Sequence, residues 1–567
     1  MAAQHKIQKI RIGDLLLQKG LITADQLNYA LAHQSGQEKI GQILINMGAI
    51  DEQTILETTA SQLGIPYTDL QQYPIKPDVS HLIPEVQARR YRAIAIDRKG
   101  KDILVGMSDP TDVLACDEIR LLLKQTLQIT LVSEHALLQV FDNIYRHSSA
   151  TAALTQQIND LKRATPMPEQ AQPKTDELTP VNKLLTDILE DAVKAQASDI
   201  HLEPHDEELR IRFRVDGILV IKNVIPAQLV PALISRLKLM SELDISEKRL
   251  PQDGRFKIHI LNQQLDVRLS TMPLLHHETV VMRLLYQSKA ILGLDKLGMP
   301  ARIRDSFSRI IHQPHGMILA VGPTGCGKTT TLYAALNELH TPNVKIITAE
   351  DPVEYHLPGI MQVQIKPKID LTFARVLRSM LRQDPDILLI GEMRDQETME
   401  IALRAAMTGH TVLSTLHTND AVSTMLRLID MGAESYLIAA TLRCILSQRL
   451  LRKICSHCAA PDQPSAPHLE LIKKIAGGLP KQALFRKGQG CSQCDNTGYH
   501  GRMPVYELLE IDPTISQALH NRNIAELNQL ATRQPGYRSI QWRAMELAIK
   551  GITTMDEAER VCFGMED

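Results

Sequence analysis

Aromatic residues are scarce in this chain of 567 residues, since phenylalanine, tryptophan and tyrosine together make up only 4% of it. Proteins that grip single-stranded nucleic acid stack its bases on aromatic side chains, so this scarcity disfavours that class. Neither sign of charge dominates, because 63 lysines and arginines oppose 65 aspartates and glutamates and leave a net charge of −2. A protein that holds nucleic acid along its whole surface is usually basic, and no nucleic-acid partner is therefore expected.

Long apolar segments are also lacking. The sequence holds no run of 18 apolar residues, and its first residues, MAAQHKIQKIRIGDLL, contain no apolar core like that of a signal peptide. We therefore expect a cytoplasmic protein whose role at a membrane is peripheral. The content of 44% hydrophobic and 23% charged residues is typical of soluble globular proteins, and the length predicts about three to five domains.

Cysteine is infrequent, and 8 cysteines in 567 residues exclude a disulfide scaffold. Four of them form two CxxC pairs, Cys455 with Cys458 and Cys491 with Cys494. Two such pairs bring four thiolates into a tetrahedron, and an all-sulfur ligand set is typical of structural Zn²⁺ with no position open to water. The alternatives are a redox dithiol, for which a thioredoxin-like context is lacking, and a zinc ribbon that binds nucleic acid.

A repeat at an offset of 28 occupies residues 11–62 at the front of the chain, where selected positions recur, such as Arg11, Gly13 and Gln34 as Lys39, Gly41 and Gln62. Each copy predicts a short amphipathic helix, a glycine turn and a second helix that is capped by Thr23 or Asp51. On the residues alone, the repeat could be a duplicated helical hairpin that serves only for packing. A mixed segment follows to about residue 145 and includes a predicted strand over residues 102–107.

The middle of the chain divides at a polar segment. Residues 147–180 are rich in proline, glutamine and threonine and lack periodicity, which is typical of a flexible linker. From residue 181 to 295 a helix over residues 182–195 and five alternating segments predict a small α/β domain with an antiparallel sheet.

After residue 296 the pattern becomes strand–loop–helix, with buried strands predicted at residues 317–321, 344–348, 387–390 and 411–415. Such a pattern is typical of a parallel, doubly wound sheet. Polar residues follow these strands directly. In a parallel sheet, those residues emerge at the carboxyl edge, where ligands bind.

The first of these strands leads into a segment that fits the phosphate-binding pattern G-x-x-x-x-G-K-[ST] at every fixed position. Its residues, with Thr330 at the start of the next helix, are predicted to bind ATP: Gly322, Pro323, Thr324, Gly325, Cys326, Gly327, Lys328, Thr329 and Thr330. The glycines let backbone N–H groups turn towards the phosphates, so the side chain at position 326 is not needed. We expect Lys328 to reach the β- and γ-phosphates and the Thr329 hydroxyl to bind Mg²⁺.

Carboxylates follow the second and third of these strands, in the segments EDPVE (residues 350–354) and GEMRD (residues 391–395). Beside a phosphate loop, carboxylates can hold Mg²⁺ through water or orient the attacking water. Alternatively, Glu350 or Asp351 caps a turn. The fourth strand is flanked by two histidines, at positions 410 and 417, which we expect on one sheet edge, one to sense the γ-phosphate and one to brace the loop.

Together with TGHTVLSTLHTNDA (residues 408–421), these segments resemble the four motifs of the secretion ATPase superfamily, in its branch for type II secretion and type IV pilus extension. The resemblance covers essentially the whole chain. It implies an α/β multidomain protein, with a RecA-like ATPase domain preceded by a PAS-like domain and a helical N-terminal domain. It also implies that Glu354 activates water, that Glu392 is the Walker B glutamate and that His417 meets the γ-phosphate.

The same resemblance assigns arginines to the nucleotide. Arg255 and Arg268 of the preceding domain match positions that approach it in this family. Arg378 and Arg382, four residues apart on the helix before the third strand, could serve the same anionic pocket. Guanidinium groups converge where charge develops on the γ-phosphoryl group. The alternative is four arginines on solvated faces.

The front repeat resembles the tandem motifs of a cyclic di-GMP-binding domain first described in the ATPase of the mannose-sensitive haemagglutinin (MSHA) pilus. The residues that match its pattern are Arg11, Gly13, Gln34, Lys39 and Gly41. Lys39 stands where the family pattern has arginine. Lysine lacks the planar guanidinium group of arginine, which would weaken a contact with guanine.

The sequence thus predicts a regulatory domain over residues 1–146, a linker, a PAS-like domain over residues 181–295 and an ATPase domain over residues 296–567. A tetracysteine zinc subdomain over residues 450–505 is expected within the last of these. The resemblance implies a homohexameric motor that assembles an MSHA-like pilus with an inner-membrane platform protein and is switched on by cyclic di-GMP. Alternatives are a type II secretion ATPase, a RecA-like DNA translocase and a regulatory scaffold that binds nucleotide without turnover.

Overall fold

The structure of the chain is a computed structural model. It describes residues 12–33, 40–70, 73, 75, 77–80, 82–100, 102–144, 180–286, 293–476, 478 and 483–563. The chain divides into two compact units, residues 1–173 with 490–497 and residues 174–489 with 498–567. The predicted linker lies outside the described residues except for Pro180, which begins a helix. Among the described helices, none combines the length and the hydropathy that crossing a membrane requires.

The front repeat folds as predicted, with helices that begin at equivalent positions of both copies. The first unit contains helices Ile12–Gln18, Ala24–Ala32, Ile40–Asn46, Glu52–Leu63, Pro77–Ser80, Glu85–Tyr91, Val113–Leu123 and Glu134–Ile144. The predicted caps are confirmed, because Thr23 Oγ1 accepts from the Gln26 N–H at 3.3 Å and Asp51 Oδ1 accepts from the Thr54 N–H at 2.8 Å. The repeat is therefore a duplicated helical hairpin.

A mixed three-stranded sheet follows the repeat, with the order β1-β2-β3. Its strands are β1 (Ala93–Lys99), β2 (Asp102–Met107) and β3 (Thr126–Leu131). β2 pairs antiparallel with β1 and parallel with β3, which confirms the strand predicted over residues 102–107. Apolar side chains of the sheet and of the helix Glu134–Ile144, such as Ile94, Val105 and Phe141, form one buried core.

The second unit begins with an antiparallel sheet of six strands, in the order β6-β5-β4-β9-β8-β7, which confirms the predicted sheet. Its elements are helix Pro180–Lys194, β4 (Asp199–Pro204), β5 (Glu208–Val215), β6 (Ile218–Pro226), helix Val230–Met240, β7 (Gln252–Ile260), β8 (Gln263–Pro273) and β9 (Glu278–Tyr286). Strand β6 was not predicted, because its sequence ILVIKNVIP does not alternate between apolar and polar residues.

The remainder of the second unit is built around a seven-stranded sheet, in the order β12-β11-β13-β14-β10-β15-β18. Its strands are β10 (Gly316–Val321), β11 (Ile346–Glu350), β12 (Met361–Gln364), β13 (Ile387–Ile390), β14 (Thr411–Leu416), β15 (Leu442–Ile454) and β18 (Tyr499–Glu510). All neighbours are parallel except β15 and β18. The four predicted buried strands are confirmed and lie side by side, whereas β12, β15 and β18 were not predicted.

Helices cover both faces of this sheet, and two short strands, β16 (Ala459–Pro461) and β17 (Arg486–Gly488), pair beside the cysteine motifs. The helices are Ala301–Ile311, Lys328–Leu339, Phe373–Met380, Gln396–Met407, Ala421–Asp430, Ser435–Thr441, Ala466–Ala476, Pro513–His520, Ile524–Arg533, Ile540–Ile549 and Met555–Phe563. β15 and β18 form a long antiparallel ladder that runs from the Cys444–Glu510 pair to the Ile454–Tyr499 pair.

Candidate nucleotide-binding and catalytic site

The predicted phosphate loop connects β10 to the helix Lys328–Leu339. Two of its glycines, Gly322 with a φ of +146° and Gly327 with a φ of +94°, adopt backbone conformations that L side chains rarely adopt. A Cβ on Gly322 would lie 2.4 Å from the carbonyl oxygen of Gln448, and one on Gly327 would lie 2.7 Å from Gln448 Nε2. Both the backbone and the neighbouring strand therefore require glycine here.

Lys328 points into this loop. Its Nζ donates to the carbonyl oxygens of Gly322 at 2.6 Å and Pro323 at 2.9 Å. The residue is only 8% exposed, and burial lowers the pKa of its ammonium group. The side chain thus already lies where an anion would be held, and phosphate oxygens would replace the two carbonyls as acceptors.

Gln448, on the neighbouring strand β15, braces the loop from outside, and sequence reasoning missed it. Its Nε2 donates to the carbonyl oxygen of Cys326 at 2.7 Å, and its Oε1 accepts from the Thr331 hydroxyl at 2.7 Å. The side chain is buried, so both bonds are shielded from water. No local motif marks Gln448, because the contact depends on the parallel pairing of β10 with β15.

Glu392, directly after β13, contacts two charged or titratable side chains. Its Oε1 lies 2.5 Å from Arg394 Nη2, and its Oε2 lies 3.6 Å from His417 Nε2. Burial lowers the pKa of His417, and the nearby Lys328 ammonium lowers it further. Both effects favour the neutral imidazole, which can donate and also accept a hydrogen bond.

The expectation that both histidines lie on one sheet edge is wrong. His410 precedes β14 and His417 follows it, so the strand separates them. His410 Nδ1 lies 3.0 Å from the carbonyl oxygen of Ala405, at the end where the Gly316 N–H donates to the His410 carbonyl oxygen. His410 thus holds the amino end of the strand, and only His417 stands at the carboxyl edge.

Glu350 is buried behind the site rather than open to it, with an exposure of 3%. Its carboxylate accepts hydrogen bonds from the hydroxyls of Tyr333 and Thr348, the latter at 2.5 Å, and from Gln362 Nε2 at 3.2 Å. Burial, with the adjoining carboxylate, raises the pKa of Tyr333. These bonds give Glu350 a structural role, but through three neighbouring side chains and not through the turn cap considered above. Glu354 in the same segment is partly exposed.

Glu354 contacts Arg268, which comes from β8 of the antiparallel sheet. Arg268 Nη2 lies 2.8 Å from Glu354 Oε2 and donates to the carbonyl oxygen of Val353 at 3.1 Å. An arginine of the preceding domain therefore reaches the acidic segment. Its approach to the nucleotide remains a prediction. Arg255 lies opposite Arg268 in the β7–β8 pairing and is exposed.

Arg378 and Arg382 do not share one helix as predicted. The helix ends at Met380, and Arg382 lies in a following 3₁₀ turn, because the Asp384-Pro385 step disfavours continued helix. Arg378 pairs with Glu397, and Arg382 Nη2 donates to Ser379 Oγ at 3.2 Å. The structure does not bring these two guanidinium groups to the phosphate loop, and their role there remains a prediction.

The residues predicted for cyclic di-GMP are only partly visible. Arg11, Gln34 and Lys39 lie outside the described residues. The remaining two residues, Gly13 and Gly41, lie where helices pack against each other. A Cβ on Gly13 would be 2.6 Å from Leu27 Cδ1, and one on Gly41 would be 3.5 Å from Ile55 Cγ2. These contacts occupy equivalent positions of the two repeats. The glycines therefore allow close helix packing, and their role towards a ligand remains a prediction.

The four cysteines of the CxxC pairs come together, and their sulfur atoms all lie within 4.8 Å of one another. Two of these sulfurs, Cys491 Sγ and Cys494 Sγ, are 3.7 Å apart. A tetrahedral Zn²⁺ site with Zn–S bonds of about 2.3 Å needs sulfurs about 3.8 Å apart, so this pair fits such a site. The residues present are therefore compatible with structural zinc.

We expect purified protein to contain about one zinc per chain by mass spectrometry of metals. Replacing Cys494 with serine should remove most of this zinc and lower the unfolding midpoint by more than about 5 °C, because a structural metal contributes directly to folding. Cys562→Ser, which changes a cysteine outside the cluster, is the control and should retain the metal. Wild-type protein without zinc would contradict this prediction.

Comparison with known proteins gives two family matches. The model described as type II/IV secretion system protein matches residues 174–560, and the MshEN domain matches residues 63–151. A type IV pilus assembly ATPase, PilB of Myxococcus xanthus, is 39% identical over 560 residues, which cover 96% of this chain and 98% of PilB. Type II secretion system protein E of Xanthomonas campestris is 38% identical over 575 residues, which cover 98% and 99% of the two chains.

Solved structures support the fold alone. The ATPase DotB of Yersinia pseudotuberculosis is 21% identical, with a TM-score of 0.52, and the match covers 70% of this chain and 97% of DotB. DotB of Legionella pneumophila is 20% identical, with a TM-score of 0.50, and the match covers 70% and 98%.

Proposed function

The chain belongs to the type II/IV secretion system family and is an ATPase, and from this premise we propose that it powers the assembly of a type IV pilus of the MSHA kind. The observation that carries the proposal is the carboxyl edge of the seven-stranded sheet. Lys328 in the phosphate loop, Glu354 after β11, Glu392 after β13 and His417 after β14 all emerge there. Nearly full-length similarity to pilus assembly ATPases supports the pilus as the object of the work.

In the proposed reaction, Lys328 exchanges its two carbonyl partners for the β- and γ-phosphates of ATP. Thr329 would hold Mg²⁺, which neutralises charge on the phosphates. Water attacks the γ-phosphorus while the bond to the bridging oxygen of ADP breaks, and Glu354 accepts the water proton. Glu392 and His417, 3.6 Å apart, would line the γ-phosphate side of the site.

Arg268 gives this chemistry a connection to the antiparallel sheet. The guanidinium that pairs with Glu354 is also the group proposed to meet the nucleotide, so hydrolysis would change a contact between the two sheets.

We place the domain boundaries at residues 1–146, 181–295 and 296–567. In a homohexameric ring at the cytoplasmic side of the inner membrane, such changes would move a platform protein. Arg255, Arg378 and Arg382 would serve the anionic pocket only after ring assembly.

The type II secretion ATPase remains a second candidate, because secretion protein E of Xanthomonas campestris is 38% identical over nearly the same length. To distinguish the two, the gene would be deleted in its own organism and complemented. We expect loss of surface pili by electron microscopy and unchanged secreted protein in the medium. Wild type should restore the pili and Lys328→Ala should not. Lost secretion with intact pili would favour the second candidate, and ATPase activity that DNA stimulates would favour a translocase.

We also propose that the front unit binds cyclic di-GMP. Two observations support this. Equivalent helices of the two repeat copies begin 28 residues apart, at Ile12 and Ile40, and the segment that follows the repeat matches the MshEN domain. Arg11 and Lys39 would contact phosphate or guanine, and Gln34 would close the first motif.

Calorimetry on the full chain should detect cyclic di-GMP binding, and Arg11→Ala should weaken it by about 10-fold or more, because a bidentate guanidinium contact is lost. Lys39→Arg should strengthen it by restoring the planar fork. Lys19→Ala changes an exposed lysine of the same repeat and is the matched control. Wild-type protein that binds no cyclic di-GMP would remove the dinucleotide from the proposal.

A further inference from the structure

Arg449 follows Gln448 on β15 and lies between the phosphate loop and the loop that carries His417. Its Nη2 donates to both oxygens of Asn419, the carbonyl at 3.0 Å and the side-chain Oδ1 at 3.2 Å. Its Nη1 donates to the carbonyl oxygen of Gln448 at 3.3 Å, and a Cβ on Gly322 would lie 3.0 Å from the same nitrogen. One guanidinium therefore contacts the strand beside the phosphate loop and the loop after β14.

The loop after β14 is held firmly on its far side. Asp420 caps the helix Ala421–Asp430 by accepting from the Ser423 N–H at 2.7 Å, and the hydroxyls of Thr418 and Thr424 are 2.6 Å apart. The Ala421 N–H donates to the buried carboxylate of Glu507 at 2.9 Å. These contacts fix the start of the helix.

On the side that faces the nucleotide, the described contacts of the loop are fewer. His417 has the contact with Glu392 at 3.6 Å, which is longer than a hydrogen bond, and its side chain is 52% exposed. The backbone just before His417 is fixed to the phosphate loop, because the Gly322 N–H donates to the carbonyl oxygen of Leu416 at 3.3 Å. Arg449 ties the next part of the loop, at Asn419, to strand β15. The course of the loop after Leu416, and with it the orientation of the His417 side chain, therefore depends on Asn419 and, through it, on Arg449.

We propose that Arg449 is a positioning residue for hydrolysis, which sets the orientation of the His417 side chain towards the phosphate loop by holding Asn419. This inference rests on the proposed role of His417 at the γ-phosphate. Arginine suits the task because its planar fork donates in fixed directions to several acceptors at once. Lysine would keep the charge but present a single rotating ammonium group, so it could not donate in the same fixed directions to these three oxygens.

The test compares Arg449→Lys, His417→Ala and the double variant in steady-state ATP hydrolysis by the full chain. Arg449→Lys should lower kcat about 10-fold to 100-fold and leave KM for ATP within about 3-fold, because the loop and not the binding of ATP is disturbed. In the His417→Ala background, Arg449→Lys should lower kcat by no more than about 2-fold, since both changes act through one group. Asn419→Ala removes the Oδ1 acceptor and keeps the carbonyl oxygen, so it should lower kcat in the same direction by a smaller factor.

Arg443→Lys is the matched control. Arg443 lies on the same strand and donates to the carbonyl oxygens of His315 at 3.2 Å and Ala440 at 3.0 Å, at the end away from the phosphate loop. It should change kcat by less than about 2-fold. The inference is overturned if Arg449→Lys retains the wild-type kcat. It is also overturned if the decrease in kcat of the double variant equals the product of the decreases in the two single variants.

Hydrogen exchange measured by mass spectrometry supplies a readout that does not depend on turnover. In Arg449→Lys the segment around residues 416–420 should exchange at least about 10-fold faster, while the helix after the phosphate loop stays protected. Unchanged exchange in that segment would overturn the inference even if the wild type hydrolysed no ATP. A wild type that fails to hydrolyse ATP would instead contradict the proposed function.

Discussion

ATP hydrolysis should fall by about 100-fold to 1,000-fold when Lys328 is replaced by alanine, which would be among the largest effects expected of any single substitution in this chain. The ammonium group of Lys328 lies inside the phosphate loop, bonded to the carbonyls of Gly322 and Pro323. Without it, the β- and γ-phosphates lose the ammonium group of the loop in a site where burial strengthens charge interactions. The measurement is release of phosphate by the purified full chain at saturating ATP.

The fold should survive this change, because the glycines and the brace from Gln448 keep the loop in shape. Removing a buried ammonium also removes the cost of burying its charge, so the unfolding midpoint should change little or rise. Lys368→Ala, at an exposed lysine of the same sheet region, is the control and should retain the wild-type rate. Full activity of Lys328→Ala would contradict the assignment of this loop as the catalytic one.

Glu354→Gln should lower kcat by about 100-fold or more with little change in KM for ATP, because a neutral amide cannot accept the proton of the attacking water. Glutamine keeps the size of the side chain and its oxygen can still accept a hydrogen bond from Arg268, so the contact between the sheets should persist in part. Single-turnover measurement of phosphate release would separate this loss of chemistry from a loss of binding.

Glu350→Gln makes the same chemical change four residues earlier and is the informative comparison. The Glu350 carboxylate accepts hydrogen bonds from Tyr333, Thr348 and Gln362 in a buried site. The NH2 group of a glutamine can only donate, so it would face these donors without an acceptor. We expect a loss of about 1–3 kcal/mol in the free energy of unfolding and a far smaller effect on kcat. If Glu354→Gln and Glu392→Gln both keep the wild-type rate, the scaffold without turnover becomes the better interpretation.

The elements that the sequence predicted are those defined by local pattern. The helix–glycine–helix repeat, with its caps at Thr23 and Asp51, and the strand before the phosphate loop depend on residues close together in the chain. Strands β15 and β18 depend on pairing between distant segments, and nothing in their sequences indicates those partners. Gln448 and Arg449 were missed for the same reason.

The two errors about the site have simple physical causes. A strand rises about 3.3 Å per residue, so His410 and His417, which flank β14, lie at opposite edges of the sheet. The spacing of Arg378 and Arg382 fits one helical face, but the Asp384-Pro385 step ends the helix before the second arginine. In both cases the spacing of the residues along the chain does not reveal where the strand or the helix ends, and that end decides where the second residue lies.

Strand β15 carries Gln448, which supports the phosphate loop, and leads directly into Cys455, the first residue of the four-cysteine cluster. These two residues are roughly 20 Å apart along an extended ladder. Such a ladder is stiff, because its backbone hydrogen bonds with β18 must shear together. We therefore expect a disturbance of the four-cysteine cluster to reach Gln448 along this ladder, so that loss of any zinc bound at the cluster slows ATP hydrolysis.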